Sequence, residues 1–198
     1  MAQGNGKQAK VLTERQIAKA LAHIESHSRY PERDRVMFML SIKAGLRAKE
    51  IASLTWSMVT DAEGKIGDLI ALENKASKGK NGGRTIPLNR DLRAALDAYR
   101  AVAPKKTGGY VIVSERDERL SPNSVAMWFW RLFLALGFAG CSSHSGRRTF
   151  ITRAARKVSE AGGSLRDVQQ LAGHSSLQTT QRYVEGDTDA KRKLVNLI

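Results

Sequence analysis

Thr13 and Gln16 stand at capping-box spacing, and behind them Ile17, Ala20, Leu21 and Ile24 recur with a helical period. A first helix is predicted there, preceded by residues 1–12, which lack periodicity and read as a flexible basic arm. Tyr30-Pro31 ends that helix and opens a second, with Pro31 at the first helical position, Val36, Met37, Leu40 and Ile42 facing inward, and Gly45 as a left-handed cap. A short third helix carries Ala48 to Leu54. From Trp56 to Leu88 the pattern changes to short apolar runs, Asp68-Leu69-Ile70-Ala71-Leu72 and Thr85-Ile86-Pro87-Leu88, which predict a small antiparallel sheet. The turn before its last strand, Lys78-Gly79-Lys80-Asn81-Gly82-Gly83-Arg84, is too flexible and too basic to be core. Asn89 caps a helix over Arg90 to Ala101, Tyr110-Val111-Ile112-Val113 reads as a brief strand, and Ser121-Pro122 starts a helix holding Val125, Trp128, Phe129, Leu132, Phe133 and Leu136. Further helical pieces are expected near 144–159, 164–172 and 177–184, with a final segment at 188–197. The pattern is that of one mainly α domain with a small antiparallel β-sheet, an α+β fold.

Composition changes the picture through charge. Among 198 residues, 33 Lys+Arg against 19 Asp+Glu give a formal net charge of +14, while 41% hydrophobic residues suffice for a packed core. A folded domain this basic suggests a polyanionic partner, because phosphates release their counterions when Lys and Arg replace them. The longest apolar stretch, Val125 to Trp130, is cut by Arg131 far short of the roughly 20 residues that span a bilayer. The N-terminus lacks the apolar segment of a secretion signal, and the single Cys141 excludes an intrachain disulfide; a cytoplasmic location is expected.

Familiar site types are absent. There is no Gly-x-x-x-x-Gly-Lys-Ser/Thr loop, no paired-carboxylate spacing and no metal-cluster spacing; His23 and His27 read as an exposed, non-binding pair. Three other segments stand out: Ala44-Gly45-Leu46-Arg47-Ala48-Lys49-Glu50-Ile51, His144-Ser145-Gly146-Arg147-Arg148-Thr149-Phe150, and Leu171-Ala172-Gly173-His174 running on to Gln181-Arg182-Tyr183-Val184. Singly, each has an ordinary structural reading, such as a helix cap for His144 or a core aromatic for Tyr183.

Together, the ordered set Arg, Lys, His-x-x-Arg, His, Tyr closely resembles the tyrosine recombinases, or phage integrase family, over about residues 13–185. The resemblance implies that family's catalytic-domain fold and a site-specific recombinase, an enzyme that cuts and rejoins DNA through a 3′-phosphotyrosine without metal, ATP or other cofactor. Arg47 and Arg147 would hold the non-bridging phosphate oxygens with bidentate donors. His174 would add another donor, Tyr183 would be the nucleophile, and His144 the proton relay that a phenol, with its ordinary pKa of about 10, requires at neutral pH. The general acid for the leaving 5′-oxygen would be Lys78 or Lys80, with Lys78 preferred. Glu50, one turn after Arg47, would buttress the site through an i,i+3 salt link. Lys80, Arg84 and Arg148 would contact DNA. Where the family usually has Leu and His in its second box, this chain has Gly146 and Arg148.

Family members usually carry an additional DNA-clamping domain ahead of the catalytic one. The chain thus reads either as a naturally short recombinase, the size of the fimbrial phase-variation invertases, or as an excised catalytic fragment, with Met1 and the tail favouring the former. The expected partner is double-stranded DNA, bound by four copies on paired sites and by a monomer otherwise. The tail, residues 186–198, ends in Leu194, Val195, Leu197 and Ile198 and is expected to dock on a neighbouring subunit. A type IB topoisomerase and a non-catalytic DNA-binding relative stand as alternatives.

Overall fold

A computed structural model of the chain describes residues 8–74, 83–104, 109–116, 119–183 and 195–196. Among the described residues stand eight α-helices and one hairpin: α1 (Glu14–His27), α2 (Pro31–Lys43), α3 (Ala48–Ser53), β1 (Leu69–Leu72), β2 (Arg84–Pro87), α4 (Arg90–Val102), α5 (Pro122–Ala135), α6 (Ser145–Lys157), α7 (Leu165–Ala172) and α8 (Leu177–Gln181). Local chemistry sets several of the boundaries. The Thr13 hydroxyl accepts from the Gln16 amide while the Gln16 side chain accepts from the Thr13 amide, so α1 begins where the capping box places it. Asn89 caps α4 and Ser121 caps α5 through their side-chain oxygens.

Helix α2 is the central element. Residues Val36 through Ile42 are all buried, as befits a helix packed on every side, here by α1, α4 and α6. Its buried Asp34 accepts from the Ser28 hydroxyl at 2.6 Å, Arg33 Nε at 2.9 Å and Trp128 Nε1 at 3.0 Å, which ties α5 to α2 and compensates the carboxylate. The aromatics of α5 are core, as their spacing predicts: Phe129 and Phe133 are fully buried, Phe129 with its ring tilted against Phe38 and Phe133 stacked on Phe138. In the hairpin Ile70 faces Ile86 and Leu72 faces Arg84, so Ile70, Leu72 and Ile86 point into the core. A second, smaller apolar cluster forms around Ile151, Val168 and Ala172 and takes in Phe150 and Tyr183.

The structure differs from the sequence expectation in two places. Tyr110–Val113 forms isolated bridges, Thr55 with Tyr110 and Val113 with Arg119, because the segment opposite turns at once into a 3-10 helix at Trp56–Met58 and offers no strand to pair with. Helix α8 stops at Gln181, earlier than 184, and Tyr183 lies in the turn after it. Gly146, the departure in the second box, sits where α6 meets α2: a Cβ there would lie 2.3 Å from Ser41 Oγ, so close helix packing requires glycine. Among the described residues no helix is long and apolar enough to cross a membrane. Lys78 and Lys80 fall outside the described residues, as does the tail apart from Val195 and Asn196.

Candidate active site

The site is built where the two apolar clusters meet, at the ends of α2, α6 and α7. Arg147, on the first turn of α6, is 4% exposed and donates from Nη1 to the Gly45 carbonyl and from Nη2 to the Ala172 carbonyl, both at 2.6 Å. It thereby links the turn after α2 to the last turn of α7. A guanidinium has five N–H donors, so anchoring by two leaves others for an anion. Gly45 allows this geometry because it adopts φ +65° and because a Cβ would fall 2.4 Å from the Phe150 ring.

Arg47 caps the start of α3. Its Nη1 donates to Glu50 Oε1 at 2.9 Å and its backbone N–H to Glu50 Oε2 at 2.8 Å, which is the i,i+3 link expected from the sequence. Its side chain keeps 29% exposure, whereas Glu50 has none. Arg84 is placed differently from the expected DNA contact. Its side chain is 7% exposed and spends its donors inside the protein, on both Glu50 oxygens at 2.8 and 3.1 Å and on the Leu171 carbonyl at 2.9 Å.

His174 follows Gly173, the left-handed cap of α7. Its Nδ1 lies 3.0 Å from the buried Thr180 hydroxyl, and its ring stacks on Tyr183 with centroids 5.6 Å apart. Tyr183, Arg147, Arg148 and His144 line one open cleft of about 300 Å³ together with Gln8 and Ala9. His144 caps α6 with an exposed ring whose Nδ1 lies 3.5 Å from the Ser143 hydroxyl. The Arg148 guanidinium lies 5.9 Å over the Tyr183 ring and donates to the Gln8 side chain. Elsewhere, His23 and His27 stack on each other on α1, and Cys141 is half-buried against the main core. Among the described residues no three His, Cys, Asp or Glu side chains stand together as a metal site would require.

The electrostatics follow from burial among like charges. Burial, then the charge of Arg47, lowers Arg147 to about 10, which leaves it charged at neutral pH. Burial, then Arg147, Arg47 and Arg84, pushes His174 down to about 4, so its imidazole is neutral. Burial would raise the Glu50 carboxyl, but the hydrogen bond and charge of Arg84, then Arg47, prevail and hold it at about 2. Both acid-side shifts have one sign, since the unfolded chain accepts these protons at higher pH than the folded one. The stability these two groups contribute is therefore fully present above pH 6.5, declines toward pH 4 through His174, and declines again between 4.5 and 2 through Glu50. The thermal midpoint of His174→Gln is expected to fall less between pH 6.5 and 4.5 than that of the unaltered chain; equal slopes would show that the fold does not hold His174 neutral.

Sequence reasoning missed Thr180 and the two carbonyls that seat Arg147. Backbone acceptors have no sequence signature, and the pair Thr179-Thr180 gives no sign of which hydroxyl turns inward.

Residues 10–189 match the Phage integrase family, and the chain belongs to that family. It is 33% identical over 190 residues to a tyrosine recombinase XerA from Thermococcus onnurineus, covering 93% of this chain and 61% of that protein. A tyrosine recombinase XerC from Rhodospirillum centenum is 32% identical over 161 residues, covering 79% of this chain and 43% of that one. The chain thus spans about two to three fifths of the length of these relatives. The crystal structure of XerA recombinase superimposes with a TM-score of 0.73 at 25% identity, covering 94% of this chain and 64% of the other. The expected fold class is the observed one: mainly helical with a two-stranded antiparallel sheet, in the manner of tyrosine recombinase catalytic domains.

Proposed function

We propose that the chain is a site-specific DNA recombinase whose Tyr183 attacks a phosphodiester of duplex DNA. The observation that carries this reading is the convergence of Tyr183, Arg147 and His144 on one cleft, with Arg47 and His174 close enough to shift or feel the charge of Arg147. Relatives named as tyrosine recombinases support it.

In the proposed reaction the Tyr183 oxygen bonds to phosphorus while the bond to the 5′-oxygen breaks. A 3′-phosphotyrosine and a 5′-hydroxyl result. The phenol proton passes to His144, whose exposed ring at the cleft can hand it to water. Charge building on the non-bridging oxygens is met by Arg47, by the N–H groups of Arg147 not bound to carbonyls, and by His174. If the Thr180 hydroxyl donates to Nδ1, the neutral His174 ring carries its proton on Nε2 and offers it to the phosphate without adding a charge. Lys78 is assigned as the acid for the leaving oxygen on the family resemblance, with Lys80 as the alternative. The arginines do the charge work that a divalent cation does elsewhere, so no metal or ATP is required, and the conserved bond energy lets a second 5′-hydroxyl reverse the step. Assembly as four copies on two paired sites, with the tail exchanged between neighbours and a cytoplasmic location, completes the proposal.

A supercoiled plasmid carrying paired target sites, incubated in EDTA without ATP, tests it. The expected outcome is products that appear only when both sites are present. Relaxation of any plasmid would indicate a topoisomerase, and binding without a covalent product would indicate a non-catalytic relative.

A further inference from the structure

We propose that Arg84 is a positioning residue for DNA cleavage, holding Glu50 so that Arg47 remains free to grip the phosphate. The inference rests on the reading of the chain as a recombinase that cleaves DNA.

Arg84 lies on β2 opposite Leu72, 34 positions from Glu50 in sequence. Its two η-nitrogens span the Glu50 carboxylate, and its Nε holds the Leu171 carbonyl in the last turn of α7. One side chain thus fixes three elements: the hairpin, the start of α3 that presents Arg47, and the end of α7 that presents His174. The end of α7 is shaped around it, since a Cβ on Gly173 would lie 2.9 Å from Arg84 Nη1. Glu50 Oε1 is shared between two guanidinium groups, Arg47 at 2.9 Å and Arg84 at 2.8 Å. Arg84 spans both oxygens, and Arg47 makes one side-chain bond to Glu50, from Nη1. Without Arg84 the fully buried carboxylate would lack its main compensating charge, and it would draw Arg47 into a two-pronged pair. The donors meant for phosphate would be lost to Glu50.

A static brace and a positioning residue differ in what rescues their loss. Arg47 acts on the negative charge of the non-bridging oxygens, so a methylphosphonate, in which a methyl group replaces one such oxygen and its charge, needs Arg47 less. Formation of the covalent protein–DNA adduct would be followed in single turnover on a nicked phosphodiester substrate and on its methylphosphonate counterpart. The full chain would be used unaltered and as Arg47→Ala, Arg84→Ala and Arg84→Lys. Arg84→Lys keeps one cation against Glu50 and therefore carries the test if the alanine variant fails to fold.

All three variants are expected to lose on the order of 10²-fold on the phosphodiester, the scale set by misplacing a catalytic group by an ångström. On the methylphosphonate each should return to within about ten-fold of the unaltered chain. Equal losses on both substrates for the Arg84 variants, with rescue confined to Arg47→Ala, would overturn the proposal and leave Arg84 a structural brace. Full phosphodiester activity in either folded Arg84 variant would also overturn it. No adduct from the unaltered chain on the phosphodiester would remove the recombinase reading itself.

Discussion

Tyr183→Phe is expected to abolish the covalent protein–DNA adduct while leaving DNA binding within a few-fold of the unaltered chain. The substitution removes one oxygen and keeps the ring that stacks on His174 at 5.6 Å and lies under Arg148. It also keeps the packing of that ring on the cluster of Ile151, Val168 and Ala172, so the turn after α8 should hold its place. What disappears is the proposed nucleophile. Denaturing gels of a nicked DNA substrate check this: an adduct with the unaltered chain, and none with Tyr183→Phe. An adduct surviving the substitution would remove Tyr183 from the mechanism.

The second large effect separates the two phosphate-binding arginines. Arg147→Ala and Arg47→Ala should each slow cleavage on the order of 10²-fold or more, as the loss of one preorganised donor typically does. Their effects on stability should differ. Arg147 is buried and bonded to two backbone carbonyls, and leaving these without a donor costs roughly 1–3 kcal/mol each. Arg47 is partly exposed, and its partner Glu50 retains Arg84. A lowered thermal midpoint is therefore expected for Arg147→Ala and little change for Arg47→Ala. Equal midpoints would contradict the anchoring of Arg147, and cleavage within ten-fold of the unaltered rate in either variant would contradict its role at the phosphate.

Much of the scaffold was legible because its signals are local. The capping box at Thr13, the caps at Asn89 and Ser121 and the alternation in Ile70, Leu72 and Ile86 each involve residues close in sequence, and the structure realises them all. Tyr110–Val113 misled because its apolar run is strand-like while the pairing partner, far upstream, turns away. The site divides in the same way. The pairing of Arg47 with Glu50 depends on helical spacing alone and could be read in advance. The pairing of Arg84 with Glu50, and the seat of Arg147 between Gly45 and Ala172, depend on the tertiary fold and could not. Charge on its own gave no sign of this partner for Arg84: a basic residue beside a glycine-rich turn reads as a DNA contact, and in the fold its side chain pairs with a buried carboxylate.

Identification of the residue joined to DNA tests the central claim most directly. The chain would be trapped on a nicked substrate in EDTA without ATP, digested with trypsin and nuclease, and the surviving nucleotide located by mass spectrometry. Cleavage after Arg182 and Lys191 releases Tyr183 in a nine-residue peptide, a length that follows from the positions of those residues. The account predicts a nucleotide 3′-phosphate on that peptide, fragmenting from the Tyr183 oxygen. A nucleotide on any other residue, or a strand cut in EDTA with no protein attached, would contradict it.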